Sequence, residues 1–481
     1  MLTTLAGCSW LLSTEAREQT FQKRQSCLCL GLQLRNQQRN MPREIITIQC
    51  GQCGNQVGCK FWELALQEHA AFNPSGLFYY SMSSFFRNMD TRFEPPIELP
   101  IRSGISLIQS LEARAVLVDM EEGVVNQLLK GPLSNLFKTK QCITGISGSG
   151  NNWAHGHDVY GPQYGEAILE KIQSEAEKCE SLQNFNMLHS LGGGTGSGLG
   201  SYIMEALNDN YSEVQCISIP VFPSKDDDVV TSPYNSLLAV RSLIEYSDCV
   251  LPIENQALGD ILEWKWKNPK VLHYMIVANL LLHLTSSVRF DGSLNVDLNE
   301  ITTNLVPSPK LHFLVSSMSP ALRTSFPSTA GQQSSTFNQL FAEAILRKNQ
   351  LIKANPLACT YLASAFLLRG SPSNVSDLTH NISLLRQRMK MVHWNPEGFK
   401  IGHCFRPPLH APQALLCLAN NTCIRSPFKR MKKAFKKLFR KRVYVHHYAE
   451  YMDLEMFKVA LGSLEDLIEE YEAYDNSKML H

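Results

Sequence analysis

Residues 189–200 read HSLGGGTGSGLG, with six glycines in the last nine positions. Backbone this bare of side chains is either a slack linker or a rigid turn, and its flanks decide which. Upstream, FNMLHSL (185–191) has the texture of a buried strand. Downstream, LGSYIMEALNDN (199–210) carries Leu199, Tyr202, Ile203, Ala206 and Leu207 on one helical stripe. A glycine turn between strand and helix aims unpaired N–H groups and a partial positive charge at one point, and lets an anion approach the main chain closely. The stretch reads as a phosphate cradle.

Two familiar phosphate motifs fail here. G-x-x-x-x-G-K-[ST] needs a lysine that the segment lacks, and G-x-G-x-x-G breaks because its sixth position falls on Ser197, Leu199 or Ser201. What remains is GGGTGSG itself.

The rhythm of strand, turn and helix recurs. EIITIQC (44–50), ARAVLVDM (113–120), the start of QCITGISGSGNNWAHGH (141–157) and VQCISIPVFP (214–223) are further strand candidates. GQCGNQVG reads as a turn, followed by the helical CKFWELALQEH (59–69). Strands alternating with helices imply an α/β fold with a parallel sheet covered on both faces. The turns at 50–56, 119–123, 147–152, 190–196 and 223–228 then share the carboxyl edge, where such sheets bind ligands. Beyond about residue 256 the texture changes to a mixed α/β region holding RFDGSLNVDLNE (289–300) and YLASAFLLRG (361–370). Between these two, RTSFPSTAGQQSST (323–336) is expected to be an exposed flexible loop. The C-terminal stretch reads as helical, first basic and then acidic (LEDLIEEYEAYD, 464–475).

A net charge of +1 over 481 residues gives no global field for nucleic acid or a membrane, so neither is expected as a partner. The 14 cysteines follow no repeating spacing, which favours free thiols. Cys50 and Cys53 form a C-x-x-C without the second pair that zinc normally needs. The longest apolar run, YMIVANLLLHLT (274–285), is shorter than the roughly 20 residues of a membrane span. Residues 1–40 lack a periodic apolar face and are expected to be disordered, or an extension ahead of an alternative start at Met41.

GGGTGSG resembles the tubulin signature, and GQCGNQVG, VDMEEG, GSGNNWAHGH, SPYNS, RFDGSLNVDLNE and NLVPSP are similar to tubulin motifs in the same order and spacing. The resemblance runs from Met41 to about residue 475. SSFFRNMDTR (83–92), DDVVTSPYNS (227–236) and ANNTC (419–423) are most like the epsilon branch of that family.

The resemblance implies a tubulin/FtsZ-like, Rossmann-like GTPase domain over 41–255. A mixed α/β intermediate domain over 256–409 and a C-terminal helical hairpin over 410–481 would follow. It implies GTP and Mg²⁺ as cofactors. By motif match, Gln52, Cys53 and Gln56 contact phosphate, ribose and base. Ser190, Gly192, Gly193, Gly194, Thr195 and Gly196 form the phosphate cradle, and Asn151 faces the γ-phosphate. Asp119 and Glu121 hold Mg²⁺ through water, Asp228 lies on the ribose side, and Asn255 reads guanine. Cys53, at a helix start, has either a lowered thiol pKa or a merely buried one. In NVDLNE, Asp297 and Glu300 match the acids that tubulins deliver to a neighbouring subunit's nucleotide. The implied partners are other tubulins of delta, alpha or beta type, in longitudinal contact, and centriolar proteins. The implied location is cytoplasmic and cytoskeletal, at the centrosome, centriole or basal body.

Several positions depart from the family pattern. Ser232 replaces the acid that bonds the ribose, while Lys270 and Tyr274 fall where tubulins stack on and read guanine. The segment 261–273 is shorter than expected for the epsilon branch, and no Glu-rich tail follows residue 475. The run KRMKKAFKKLFRKR (429–442) is strongly basic, with Phe428, Met431, Phe435, Leu438 and Phe439 on one apolar stripe; it is either a solvated helix face or a docking face. Two functional expectations stand side by side. One is a GTP-hydrolysing constituent of centriolar or basal-body microtubules; the other is a non-hydrolysing relative acting as an adaptor.

Overall fold

The computed structural model describes residues 43–99, 105–224, 227–263, 270–290, 292, 294–321, 337–370 and 375–476. The expectations for residues 1–40 and for the loop 323–336 lie outside the described residues.

Strand β1 (Glu44–Cys50) is buried at every position, as a run rich in β-branched residues must be when helices cover both faces of a sheet. The elements that follow are helix α1 (Gly51–Phe72), β2 (Ala115–Asp119), α2 (Glu122–Lys130), β3 (Cys142–Thr144), α3 (Gly161–Ala176), β4 (Leu182–Ser190), α4 (Gly200–Asn210), β5 (Gln215–Phe222), α5 (Ser232–Tyr246) and β6 (Cys249–Val250). These strands form a parallel sheet in the order β6-β5-β4-β1-β2-β3, and Ile253–Glu254 pairs beside β5. The chain leaves β1 toward β2 and β3, then returns to the other side of β1 as β4. The order therefore reverses between β1 and β4, and that crevice at the carboxyl edge is where such sheets take ligands. The 190–196 loop and the start of α1 both open into it.

One expectation needs correcting. GQCGNQVG is no turn: α1 begins directly at Gly51, whose φ of +72° makes the whole change of direction in one residue. That is a left-handed conformation glycine adopts without strain. The helix then lies hard against the sheet, since a Cβ on Gly54 would stand 2.2 Å from the Leu188 carbonyl oxygen.

Further along the chain lie α6 (Asn255–Glu263), α7 (Lys270–Leu284), α8 (Leu298–Leu305), β7 (Leu314–Ser319), β8 (Tyr361–Arg369), β9 (Phe399–Cys404), β10 (Ala414–Asn421), α9 (Arg425–Phe439) and α10 (Glu455–Asn476), among shorter and peripheral elements. The second sheet runs β7-β10-β8-β9, antiparallel except between β8 and β9. Helix α7 is apolar nearly all round because it is a central strut, packed along α1 and against the second sheet. Near its end a buried node joins the two sheets. Glu68 of α1 receives Arg369 of β8 at 2.9 Å and Arg289 at 2.8 Å, with all three side chains almost wholly buried.

The apolar stripe expected on the basic helix points inward. Phe435 packs on Tyr234 of α5 and Phe457 of α10, and Phe428 packs on Phe222 and Phe313. The C-terminal helices are thereby seated on the same face of the first sheet as α5.

Candidate nucleotide-binding site

A cavity of about 700 Å³ opens at the carboxyl edge of the first sheet. One end is walled by Ser149–Asn151 and by Ser190 and Gly192–Gly196. The loop's bareness has local reasons. A Cβ on Gly194 would fall 2.3 Å from Ser149 Oγ, and one on Gly196 would fall within 3.0 Å of the Ser190 backbone. Gly193 differs, because its Cβ would meet nothing nearer than Asn151 Oδ1 at 3.6 Å, toward the cavity. After the loop a wide-turned helical segment, Thr195–Leu199, feeds α4 and presents its amino end to the cavity. Opposite, Gly150 and Asn151 take φ of +57° and +53°, a left-handed pair that exposes successive amides.

The loop is fastened from behind. Asn235, fully buried on α5, donates to the carbonyls of Gly192 (2.9 Å) and Asn151 (2.8 Å). Its Oδ1 accepts from the Trp153 amide (2.9 Å) and from the Tyr448 hydroxyl (2.5 Å). His189 Nδ1 lies 2.9 Å from the Gly196 carbonyl, and burial pushes its pKa down to about 4, so the ring is neutral. The Thr195 and Ser149 hydroxyls are bonded at 3.1 Å across the cradle.

Asp119, at the end of β2, and Glu121 line the same end of the cavity. Burial, with Glu121 nearby, pushes the Asp119 carboxyl up to about 6 in spite of bonds from backbone amides. Its buried Oδ2 has no hydrogen-bond partner. An unpartnered buried carboxylate oxygen is costly, and a hard cation or its bound water would satisfy it. Among the described residues no three His, Cys, Asp or Glu side chains gather into a protein-only metal cage. Two carboxylates beside a phosphate cradle suit Mg²⁺, which usually takes one or two carboxylates and completes its shell with phosphate and water.

The far end is walled by Gln52, Cys53 and Val57 of α1, by Asp227 and Asp228, by Asn255, Gln256 and Leu258 of α6, and by His273, Tyr274 and Val277 of α7. Gln56 is the exception among the expected residues. It faces an adjoining cleft with Cys59, Lys60 and Leu128, on the far side of Tyr274, whose side chain borders both spaces. Burial, with Asp227 nearby, pushes the Cys53 thiol up to about 12, the direction of the buried alternative. Ser232 turns its hydroxyl back to the Val229 carbonyl at 2.7 Å, while Asp227 and Asp228 just upstream bring acid to the wall. The side chain of Lys270 lies outside the described residues. Ser149, Asp227, Gln256 and His273 were not singled out from sequence. Ser149 stood inside a quoted motif and Asp227 within an acidic run, but His273 sits in an apolar helix with no signal.

Asp297 and Glu300 lie elsewhere. Asp297 caps α8 by accepting from the Glu300 amide at 2.6 Å, and pairs with Arg43 at 2.9 Å. Glu300 pairs with Lys400. Arg43 immediately precedes β1, whereas the cradle meets the chain at Gly51, so the acids stand at the opposite edge of the sheet. Seven extended residues separate the two edges by roughly 20 Å. Neither carboxylate can reach its own chain's cavity.

Comparison with known proteins agrees with this architecture. The Tubulin/FtsZ family GTPase domain model matches residues 44–263, and the Tubulin C-terminal domain model matches residues 309–433. The chain belongs to the tubulin family. Among curated relatives, the tubulin epsilon chains of Mus musculus and Homo sapiens are each 46% identical over 90% of this chain and 97% and 96% of theirs. The tubulin beta-2 chain of Suillus bovinus is 35% identical, over 91% of this chain and 97% of its own.

Proposed function

We propose that the chain is a GTP-binding tubulin-type subunit of centriolar or basal-body microtubules, with each pocket completed for hydrolysis by the next subunit. One observation carries the reading: cradle and acids occupy opposite edges of one parallel sheet. Head-to-tail stacking would bring Glu300 and Asp297 of one subunit to the cradle of its neighbour. There a carboxylate would align water on the γ-phosphate, a reaction in which positioning and charge stabilisation dominate.

In this reading the amides of Gly192–Gly196 and the Asn151 turn hold the phosphates, with Ser190 and Thr195. Asp119 and Glu121 would hold Mg²⁺ through water, and the ion would neutralise charge on the phosphates. Asp228, with Asp227, serves the ribose in place of the acid replaced by Ser232. Asn255, Gln52 and Tyr274 close on the base, with Cys53 beneath. We take 41–255, 256–409 and 410–481 as the nucleotide-binding, intermediate and helical units. Resemblance to tubulin epsilon chains supports the assignment to centrioles, with other tubulins as longitudinal partners.

Titration of the folded chain with labelled GTP tests the first part, with saturable binding that GTP competes and ATP does not as the expected result. Absence of saturable binding by folded protein overturns it and leaves the adaptor reading, which the substitutions at Ser232 and Tyr274 favour. For the second part, Glu300→Ala in one subunit of a co-assembly should abolish hydrolysis on the neighbour and leave its own GTP binding intact.

A further inference from the structure

The basic helix α9 carries cations in two rows with different fates. In the first, Lys429 pairs with Glu472, and Lys432 and Lys436 share Glu465 at 3.0 and 2.6 Å. Those acids belong to α10, and the two bonds hold the Glu465 carboxyl below its ordinary range. The second row, Lys433 and Lys437 on α9 with Arg440 and Lys441 just past its end, is exposed throughout. Among the described residues no carboxylate reaches any of the four. The two rows border an open groove of about 660 Å³ lined by lysine and arginine alone.

Residues 1–42 hold five Lys or Arg against two Glu, and residues 476–481 hold one Lys and no acid, so neither stretch complements the row in charge. The surface itself restricts the class of its occupant. Phe428, Phe435 and Phe439 all face the interior, so the cation row itself carries no aromatic platform for single-stranded bases; the exposed Tyr444 and His447 stack on one another past the end of the helix. Between the cations the exposed side is bare of apolar side chains except Ala434, so nothing is offered for insertion into a bilayer. What it does offer is Lys433 and Lys437, an i, i+4 cation pair like the Lys432 and Lys436 pair that already grips Glu465 of α10.

We propose that the Lys433–Lys441 face of α9 is a docking surface for an acidic, Glu-rich protein segment, bound alongside α9 as α10 is bound on the other flank. Its carboxylates would meet Lys433 and Lys437 at helical spacing, about 6 Å of rise, and continue toward Arg440 and Lys441 past the end of the helix. The contact is electrostatic and lies at the rim, so it sets partner choice and association rate and weakens steeply with salt.

The test is fluorescence anisotropy of a labelled Glu-rich peptide of about four helical turns, titrated with the full chain. Lys433→Gln with Lys437→Gln should weaken binding about tenfold, the loss of two rim charge pairs, without moving the melting temperature. Glu465→Gln frees Lys432 and Lys436 and should tighten binding about threefold by the same arithmetic. Lys310→Gln with Lys348→Gln, on other surfaces, should change nothing. Equal peptide binding by the Lys433/Lys437 variant overturns the proposal. So does tighter binding of a single-stranded oligonucleotide, or of phosphatidylserine-containing vesicles, with the same loss on substitution.

Discussion

Two adjacent glycines in the cradle should fail in opposite ways when each gains a single methyl group. At Gly193 an added Cβ meets no atom nearer than 3.6 Å, and the backbone is not in the left-handed region, so Gly193→Ala fits the unliganded protein. Its unfolding free energy should stay within about 0.5 kcal/mol of the parent. The methyl nevertheless occupies the space where a phosphate oxygen would meet the loop amides. Each charge-assisted bond lost is worth about 1.5–3 kcal/mol, so losing one or two weakens GTP binding by roughly 10- to 1,000-fold or more. At Gly194 the methyl lands 2.3 Å from Ser149 Oγ and 2.6 Å from the Asn152 nitrogen, so the neighbouring turn must move. Overpacking of that kind costs about 1–3 kcal/mol in the unliganded chain. Thermal unfolding without nucleotide, beside titration with labelled GTP, separates the two. Parental affinity in Gly193→Ala would show that the loop does not cradle phosphate. A lowered melting temperature in that variant would refute the reading of open space beside Gly193.

Three further outcomes follow from side chains away from the loop. Glu68→Gln leaves Arg289 and Arg369 buried without their acid and should cost about 3–5 kcal/mol in chemical denaturation. In the parent, burial alone would raise the Glu68 pKa, but Arg369 and Arg289 hold it down at about 2. This carboxyl's stabilisation should therefore be complete above its unfolded pKa of about 4.3 and be lost as pH falls toward 2, a slope absent in the variant. Asp119 has the opposite sign, because burial raises it to about 6. Its relative stabilisation is present below about pH 3.9 and is lost as pH rises through 6, so the unliganded melting temperature of Asp119→Asn should lack that decline. Asn235→Ala removes four hydrogen bonds behind the loop and should lower both melting temperature and GTP affinity; loss of stability alone would show that the loop holds itself.

The parallel sheet, the glycine loop between strand and helix and the convergence of turns at one edge were legible because each rests on local pattern: buried strand runs, glycines at element junctions and amphipathic stripes. The left-handed step at Gly51 was not, since a glycine followed by Gln, Cys, Gly and Asn carries the same composition as a turn. In the fold Gly51 opens a helix, at a close approach where a Cβ would stand 3.0 Å from the Gly196 nitrogen. Gln56 was placed in the pocket by motif, yet the helix rotates it past Tyr274, a matter of angle along α1 that no motif encodes. His273 and Asn235 show the other limit. Their roles come from partners and walls far away in sequence, and neither residue type stands out in its own stretch.

The bonds behind the loop also bear on the order in which the molecule can be finished. Three hydrogen bonds tie the late segment to the loop's supports: Asn152 and Tyr234 donate to the His447 and Val443 carbonyls, and the Tyr448 hydroxyl donates to Asn235. As the chain emerges from the ribosome, every glycine of the cradle is exposed long before those last helices exist. The glycines thus precede their fastenings in the chain, and a nascent fragment ending before Val443 would carry the whole signature without these three bonds.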